Sequence, residues 1–327
     1  MTHLRADLFT VGETLIRLAA PSTELLARTR TLELQVGGAE SNVAAGVTAM
    51  GYTTRWISRL TENVWGRRIV HDLTGRGVDC SGVIWTSEDR IGTYFVEYGV
   101  TPRPIKVTYD RAHSSMSRMT VEDIDLSVIR SARLIHLTGI TAALSDSCYE
   151  VLRAVISEAN SQGIPVVFDV NYRSLLWSPQ RCAERLTPLL QKVDTLLIGR
   201  ADAATVFGIT GEPGEVLARL VECFGVKRVA LTIGEAGAQG LDVTSEGKPS
   251  TYTVGGYPAQ IVDRIGAGDA FAAGVLCGLL ENNFELGVRY GVAMSALKLS
   301  VYGDMFPFTK EEVQHLIDHG YGGRPVR

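Results

Sequence analysis

Two carboxylates six positions apart, Asp263 and Asp269, flank Gly266 and Gly268 in the segment DRIGAGDAFAAG at residues 263–274, which then runs into small and apolar residues. A carboxylate in the first turn of a helix sits where unpaired backbone N–H groups and the helix dipole favour negative charge, so capping alone accounts for Asp269. Capping does not account for the two glycines before it, because Ser, Thr, Asp or Asn caps a helix without them. Glycines admit a ligand close to the backbone, and successive N–H groups ahead of a helix form an anion nest. A nest beside a carboxylate brings an anion and a proton acceptor together, with room for something reactive between them.

A second group of residues suits an anionic ligand. In KVTYDRA, Tyr109 and Arg111 stand two positions apart and so share one face of a strand, as Tyr94, Val96 and Tyr98 do in GTYFVEYG. A phenol beside a guanidinium suits a carboxylate. Arg173, in FDVNYR, lies at the C-terminal end of an expected parallel strand, where open α/β sheets bind ligands, and its fork can grip a carboxylate at two points. The bland alternative for these residues is aromatic packing and surface ion pairs.

The elements that must position these groups fall into two parts. From about residue 133, the apolar runs RLIHLTG, IPVVFDVN, DTLLIG and RVALTIG alternate with helix-like stretches, the signature of βαβ units, a mostly parallel sheet and helices on both faces. Helices are expected over SDSCYEVLRAVISEANSQG, GEPGEVLARLVECFG, GDAFAAGVLCGLLENN and FELGVRYGVAMSALKLSV, the third with Phe271, Val275, Leu276 and Leu279 on one face. The first third has strand-like runs at 14–18, 32–36, 53–57, 91–98 and 105–109, few long helices, and one glycine-led helix, GGAESNVAAGVTAMG, that Gly51 should end. We expect a single α/β domain over 1–327, with a small second sheet lying as a lid over one edge of the main sheet. Its strands fall within about 12–36 and 91–111. The tail HGYGGRPVR reads as frayed.

The totals of this 327-residue chain exclude several classes. Hydrophobic residues make up 45% and charged residues 21%, which suits a compact protein with an ample core. Lys and Arg number 32 against 36 Asp and Glu, a net charge of −4 with no basic footprint for nucleic acid or an anionic membrane, so small molecules are the expected partners. The five cysteines form no C-x-x-C pair and read as reduced packing residues. No signal-peptide pattern or membrane-spanning run is present, which points to the cytoplasm. There is no G-x-x-x-x-G-K-[ST], no H-E-x-x-H and no G-x-S-x-G, and GAGDAF fails the dinucleotide pattern at Phe271. Among the histidines only His315 and His319 lie one helical turn apart, and that pair reads as surface.

VGGAESNVAAG at 36–46 and VDRIGAGDAFAAG at 262–274 resemble the two signatures of the ribokinase-like (PfkB) carbohydrate kinases, in that family's order. The resemblance covers essentially the whole chain and implies a ribokinase-like fold, ATP and Mg²⁺ as cofactors, and phosphorylation of a sugar hydroxyl. It makes Asp269 the catalytic base and Gly266, Ala267 and Gly268 the anion hole for the phosphoryl group. Asp263 then shapes the loop, and Arg264 stands where the family more often has Thr. The Gly-rich ATP loop falls on LTIGEAGA, which gives Thr232, Gly234, Gly237 and Ala238 as nucleotide contacts, with Thr232 where many relatives carry Lys. The N-x-x-E segment falls on GRAD, putting Gly199 in the place of Asn and Asp202 in the place of Glu, tied to magnesium through water. Asn171, Gly199, Gly266 and Gly268 complete the implied nucleotide set.

For the sugar, GETLIR puts Arg17 where neutral-sugar kinases of the family often carry Asp. Gly37, Gly38, Asn42, Tyr94, Tyr109, Arg111, Arg173 and Asp269, with Asp304 in VYGD, resemble the substrate set of the acid-sugar branch, the 2-keto-3-deoxygluconate kinases. The implied reaction is phosphorylation of the terminal hydroxyl of 2-keto-3-deoxygluconate. Fructokinase-like or 5-dehydro-2-deoxygluconate-type activity is the alternative, and a non-catalytic sugar sensor would have no physical need for the carboxylate at 269. Open lid edges suggest a homodimer joined through the lid.

Overall fold

A computed structural model describes residues 6–244 and 248–321. The chain begins with β1 (Ala6–Val11), β2 (Leu15–Ala19), β3 (Glu33–Gly37), α1 (Ala39–Ala49), β4 (Thr54–Ile57), β5 (Arg59–Thr61), α2 (Val64–Thr74), β6 (Ile84–Thr86), β7 (Thr93–Glu97) and β8 (Lys106–Asp110). It continues through β9 (Ala132–Thr138), α3 (Gly139–Leu144), α4 (Asp146–Ser161), β10 (Val166–Asp169), α5 (Pro179–Leu190), β11 (Thr195–Gly199), α6 (Arg200–Phe207), α7 (Pro213–Phe224) and β12 (Arg228–Thr232). It ends with β13 (Ala238–Asp242), β14 (Ser250–Val254), α8 (Ala267–Leu280), α9 (Phe284–Leu299) and α10 (Lys310–His319).

Continuous apolar strands need cover on both faces, and the large sheet has it. Its order is β14-β13-β12-β11-β10-β9-β1-β4, antiparallel only at the two junctions of β13. Because successive side chains point to opposite faces, Leu8, Leu134, Val167, Leu197 and Ala230 enter one core with Val43 of α1, Leu276 of α8 and Val288 of α9. Phe9, Ile135, Phe168, Ile198 and Leu231 enter the other, with Leu152 of α4, Leu186 of α5 and Leu217 of α7. Side-chain caps start the flanking helices: Cys148 N–H donates to Ser145 Oγ at 3.0 Å for α4, and Leu286 N–H to Asn283 Oδ1 at 2.9 Å for α9.

Phe271, Val275, Leu276 and Leu279 of α8 pack into one core as expected, but burial is not confined to that face: every residue from Asp269 to Gly278 is enclosed, while Leu279 is half-buried. Small residues let neighbours close in all round. A Cβ on Gly274 would strike the backbone of Gly291, and one on Gly278 the backbone of Gly287, so α8 and α9 touch main chain to main chain.

β3-β2-β7-β8 form the separate small sheet, and Tyr94, Val96 and Tyr98 share one face of it with Leu15 and Ala19. The run at 53–57 is not part of it: β4 pairs in parallel with β1 at the edge of the large sheet, four consecutive residues buried. α2 was not foreseen, although Gly66, Ile69 and Leu73, its buried residues, lie at helical spacing behind the cap Asn63. Four cysteines are buried as expected, but Cys223 is exposed. His315 and His319 stack at 4.4 Å, both reaching the surface of α10. Among the described residues no helix is long and apolar enough to cross a membrane. Most of the expected frayed tail lies outside the described residues.

Candidate active site

The chemistry gathers where the C-terminal ends of β1, β9, β10, β11 and β12 face the small sheet and the start of α8. Parallel strands deliver Glu13, Thr138, Asp169, Gly199 and Thr232 to one edge, as open α/β sheets do. A cavity of about 460 Å³ opens there. Of the residues singled out from sequence, Gly37, Gly38, Asn42, Tyr94, Tyr109, Arg111, Asn171, Arg173, Gly199, Asp202, Thr232, Gly266, Gly268, Asp269 and Asp304 all line it.

Gly266 caps α8 with φ +86°, a left-handed conformation, and a Cβ there would collide with the carbonyl oxygen of Asp304. Gly268 has open space where a Cβ would point, so its lack of a side chain clears the cavity rather than the fold. Ala270 N–H reaches Gly266 O at 2.9 Å and closes the first turn. Ala267 does not line the cavity, and its N–H makes a long 3.4 Å bond back to Arg264 O.

Asp269, on the third residue of α8, is buried and fixed by α1: Asn42 Nδ2 donates to its Oδ2 at 2.7 Å. Burial pushes its carboxyl up to about 6 against the pull of Asn42 and Arg173, with the charge of Asp304 adding to the rise. Asp169, at the end of β10, is pushed higher, to about 8, by burial and then by Asp269. Asp202 is also raised by burial, and Arg173 opposes the shift. In the first turn of α1 the fully buried Glu40 takes hydroxyl bonds from Thr138 and Thr141, 2.6 Å each, and burial raises it to about 7. Low dielectric thus holds Glu40, Asp169 and Asp269 within reach of neutral pH, the range in which a base can both take and release a proton.

The cationic side differs from the sequence reading in one respect. Arg111 follows β8 and lies over the Tyr109 ring at 5.5 Å, as side-by-side placement implied, but its fork is already engaged. Nε donates to Glu13 Oε2 at 2.8 Å, Nη2 donates to the same oxygen, and Ser114 supplies a hydroxyl to Oε1. Only Nη1 remains for a ligand. Arg173 is exposed and makes no ion pair among the described residues; its Nη1 donates to Tyr172 O at 3.2 Å. Tyr94 stacks on Tyr109 at 5.7 Å and commits its proton to Asp304 Oδ2 at 2.6 Å, so toward a ligand it accepts.

A second cavity of about 570 Å³ adjoins the first, sharing Gly199 and Thr232 and adding Arg200, Ala201, Ala204, Ile233 and Gly234. Two compartments meeting at the ends of β11 and β12 suit two substrates that exchange a group. Gly237 and Ala238 border neither: Gly237 turns at φ +98° into β13, and Ala238 pairs with Thr232. For a divalent cation, no group of three or more metal-ligating side chains comes together among the described residues. Asp202 and Asp169 do fit a hydrated Mg²⁺ held through water and phosphate oxygens, since a cation would favour the ionised form that burial penalises. Glu13, Glu40 and Asp169 were missed from sequence. Glu13 and Asp169 sit in the quoted segments GETLIR and FDVNYR at strand ends, and Glu40 in VGGAESNVAAG two residues after the glycine pair, the signals that could have found them.

The family model for pfkB family carbohydrate kinases matches residues 5–311. The chain is 34% identical over 321 residues to a 2-dehydro-3-deoxygalactonokinase of Haloferax volcanii, covering 98% of this chain and 99% of that protein. It is 30% identical over 305 residues to a 2-dehydro-3-deoxygluconokinase of Bacillus subtilis, covering 92% of each. The crystal structure of a 2-dehydro-3-deoxygluconokinase from Thermotoga maritima superposes with a TM-score of 0.88 at 30% identity, covering 95% of this chain and 99% of that one.

Proposed function

The chain belongs to the pfkB family of carbohydrate kinases, an ATP-dependent sugar-acid kinase, and within that family we propose that it phosphorylates the terminal hydroxyl of 2-keto-3-deoxygluconate. The observation that carries the substrate is Arg173, an exposed guanidinium with no ion-pair partner among the described residues, on the wall of the same cavity that holds the buried carboxylate of Asp269. The acid sugar lies between them. Its carboxylate meets Arg173 and Nη1 of Arg111, its middle hydroxyls meet Asp304, Tyr94 and the backbone at Gly37–Gly38, and its terminal hydroxyl faces Asp269.

Asp269 then takes the hydroxyl proton as that oxygen bonds to the γ-phosphorus of ATP and the bond from phosphorus to the ADP oxygen breaks. N–H groups at the start of α8 face the phosphoryl oxygens as their charge redistributes. The nucleotide lies along Gly199, Thr232 and Gly234 in the adjoining cavity, with Asn171 reaching it from the first. Mg²⁺, when bound near Asp202, neutralises phosphate charge. The relatives support the reading, because those compared act on 2-keto-3-deoxy acids by name. The galactonate epimer is a second candidate, favoured by the Haloferax volcanii relative.

The test compares kcat/KM for the two keto-acid epimers and a neutral hexose, in the wild type and in Arg173→Ala. A charge-assisted bond is worth about 1.5–3 kcal/mol, so KM for the keto acid should rise roughly 10- to 150-fold in the variant, with little change for the hexose. Equal efficiency on keto acid and hexose in the wild type would refute the acid-sugar reading. We further propose that two copies meet through the small sheet, whose edge strand β8 is exposed at Lys106, Thr108, Tyr109 and Asp110. A monomeric mass in solution would exclude that.

A further inference from the structure

Arg17 has a place in the fold that phosphoryl transfer alone does not explain. It stands in mid-strand on β2, opposite Gln35 of β3 and Tyr94 of β7, and no part of it reaches solvent. A guanidinium taken out of water persists only where carboxylates and other acceptors meet its fork. Here Nη1 meets Asp304 Oδ1, while Nη2 meets Asp263 Oδ2 at 2.5 Å and the Tyr98 hydroxyl at 2.7 Å. Lys298, also fully buried, donates to Val301 O at 3.2 Å, and its charge acts on both carboxylates, so two cations and two anions are enclosed together.

The two carboxylates belong to different parts of the machinery. Asp304, in the loop after α9, lines the sugar cavity and takes the Tyr94 hydroxyl on its other oxygen. Asp263 begins the segment leading into α8, accepting from Ile265 N–H at 3.0 Å and from Gly303 N–H at 3.1 Å. We propose that Arg17 is a positioning residue that makes the substrate wall and the anion-hole loop one mechanical unit, acting through Asp304 on one arm of its fork and through Asp263 on the other. The inference rests on the assignment of the cavity to a sugar and of the start of α8 to the phosphoryl group.

The path is short and continuous. A sugar hydroxyl pressed against Asp304 or Tyr94 bears on Arg17; Arg17 holds Asp263; Asp263 fixes Ile265, the residue before Gly266. The contact between Gly266 and the carbonyl of Asp304 closes the ring from the other side. A bidentate guanidinium suits this task, because a lysine is a point charge that cannot hold two carboxylates and a phenol in fixed directions. Stability alone would not call for it, since well-packed apolar residues commonly replace a buried ion network without loss.

Arg17→Lys, Asp263→Asn and Tyr98→Phe test the proposal in the full chain, with kcat and KM expressed per folded enzyme and Tm measured alongside. Arg17→Lys keeps the charge and loses the fork; kcat should fall about 10- to 100-fold, with KM for ATP changed by less than about threefold. Asp263→Asn should reproduce the fall, and the double variant should be no worse than the single ones, because both cut one link. Tyr98→Phe, which removes one bond and no charge, should lower kcat by about threefold or more. A lower Tm with unchanged kcat would overturn the proposal, as would additive losses in the double variant. If Arg17→Lys does not fold, Tyr98→Phe and Asp263→Asn decide by the same kcat criterion. Should the wild type refuse sugar acids, the substrate reading fails on its own, and the Arg17 comparison is made with whichever sugar the enzyme accepts.

Discussion

Replacing Asp269 by Asn changes one atom in a buried site, and it should damage turnover while stabilising the fold. The amide is isosteric, and its oxygen can still accept the 2.7 Å bond from Asn42 Nδ2, so the geometry survives. Catalysis loses its proton acceptor, for which a fall of roughly 10²- to 10⁴-fold in kcat is the ordinary consequence. Stability moves the other way. Burial raises this carboxyl from an ordinary 3.8 to about 6, so the unfolded chain releases the proton at lower pH than the folded one. The wild type therefore loses stability as pH rises through that window, and an Asn that cannot ionise does not. The difference is on the order of 3 kcal/mol above pH 6 and vanishes below pH 4. ADP release at saturating ATP and sugar measures the first effect, and thermal unfolding at pH 4 and pH 8 the second. The wild-type kcat/KM should rise with pH through about 6, since only the ionised base accepts a proton. Near wild-type turnover in Asp269→Asn would remove the base assignment, and a variant less stable than wild type at pH 8 would refute the burial argument.

Gly266→Ala should lower Tm and turnover together, because the Cβ meets the Asp304 carbonyl in a left-handed backbone, whereas Gly268→Ala should keep a wild-type Tm and lose activity by crowding the phosphoryl site; equal Tm losses would contradict the geometry. Arg111→Ala leaves the buried Glu13 carboxylate unpaired at the cavity wall, so KM for an acid substrate should rise by about 10-fold or more, and Glu13→Gln in the same chain should restore part of it. Failure of that rescue in steady-state kinetics would separate the two residues. Asp169, raised to about 8, sheds stability as pH climbs from about 4 toward 8; Asp169→Asn should therefore gain in Tm over wild type at pH 9 relative to pH 5, and a pH-independent difference would count against it.

What could be read along the chain were the features fixed by near neighbours. The glycines before Asp269 and the four long helices of the second part are local patterns, and they lie where the spacing put them. The sheet to which a short strand belongs is not local. β4 looks no different in composition from the strands of the small sheet, yet it pairs with β1 because α1 returns the chain to that edge. Phe271, Val275, Leu276 and Leu279 do pack into one core, but burial all round α8 was not legible, because small residues give no polar face to read against. The polar partnerships were also hidden: Arg111 finds Glu13 from 98 residues away, and Arg17 finds Asp263 and Asp304 from 246 and 287. Residue types announced that anions and cations were present; only the folded path determined which cation was already engaged, and so which remained for a substrate.

The glycine contacts between α8 and α9 divide the molecule by how freely its sequence can drift. Where main chain meets main chain, even one methyl group at Gly274 or Gly278 must push a helix aside, and the displaced helix carries Asp269. In the proposed reading the acid sugar, by contrast, is met mainly from strand edges and loops such as those of Tyr109, Arg111 and Arg173, two of them exposed side chains. On that reading new sugars can be tried by substitution at the rim without disturbing the proposed base, and a lineage that changes its substrate has little reason to touch the helix pair that positions Asp269.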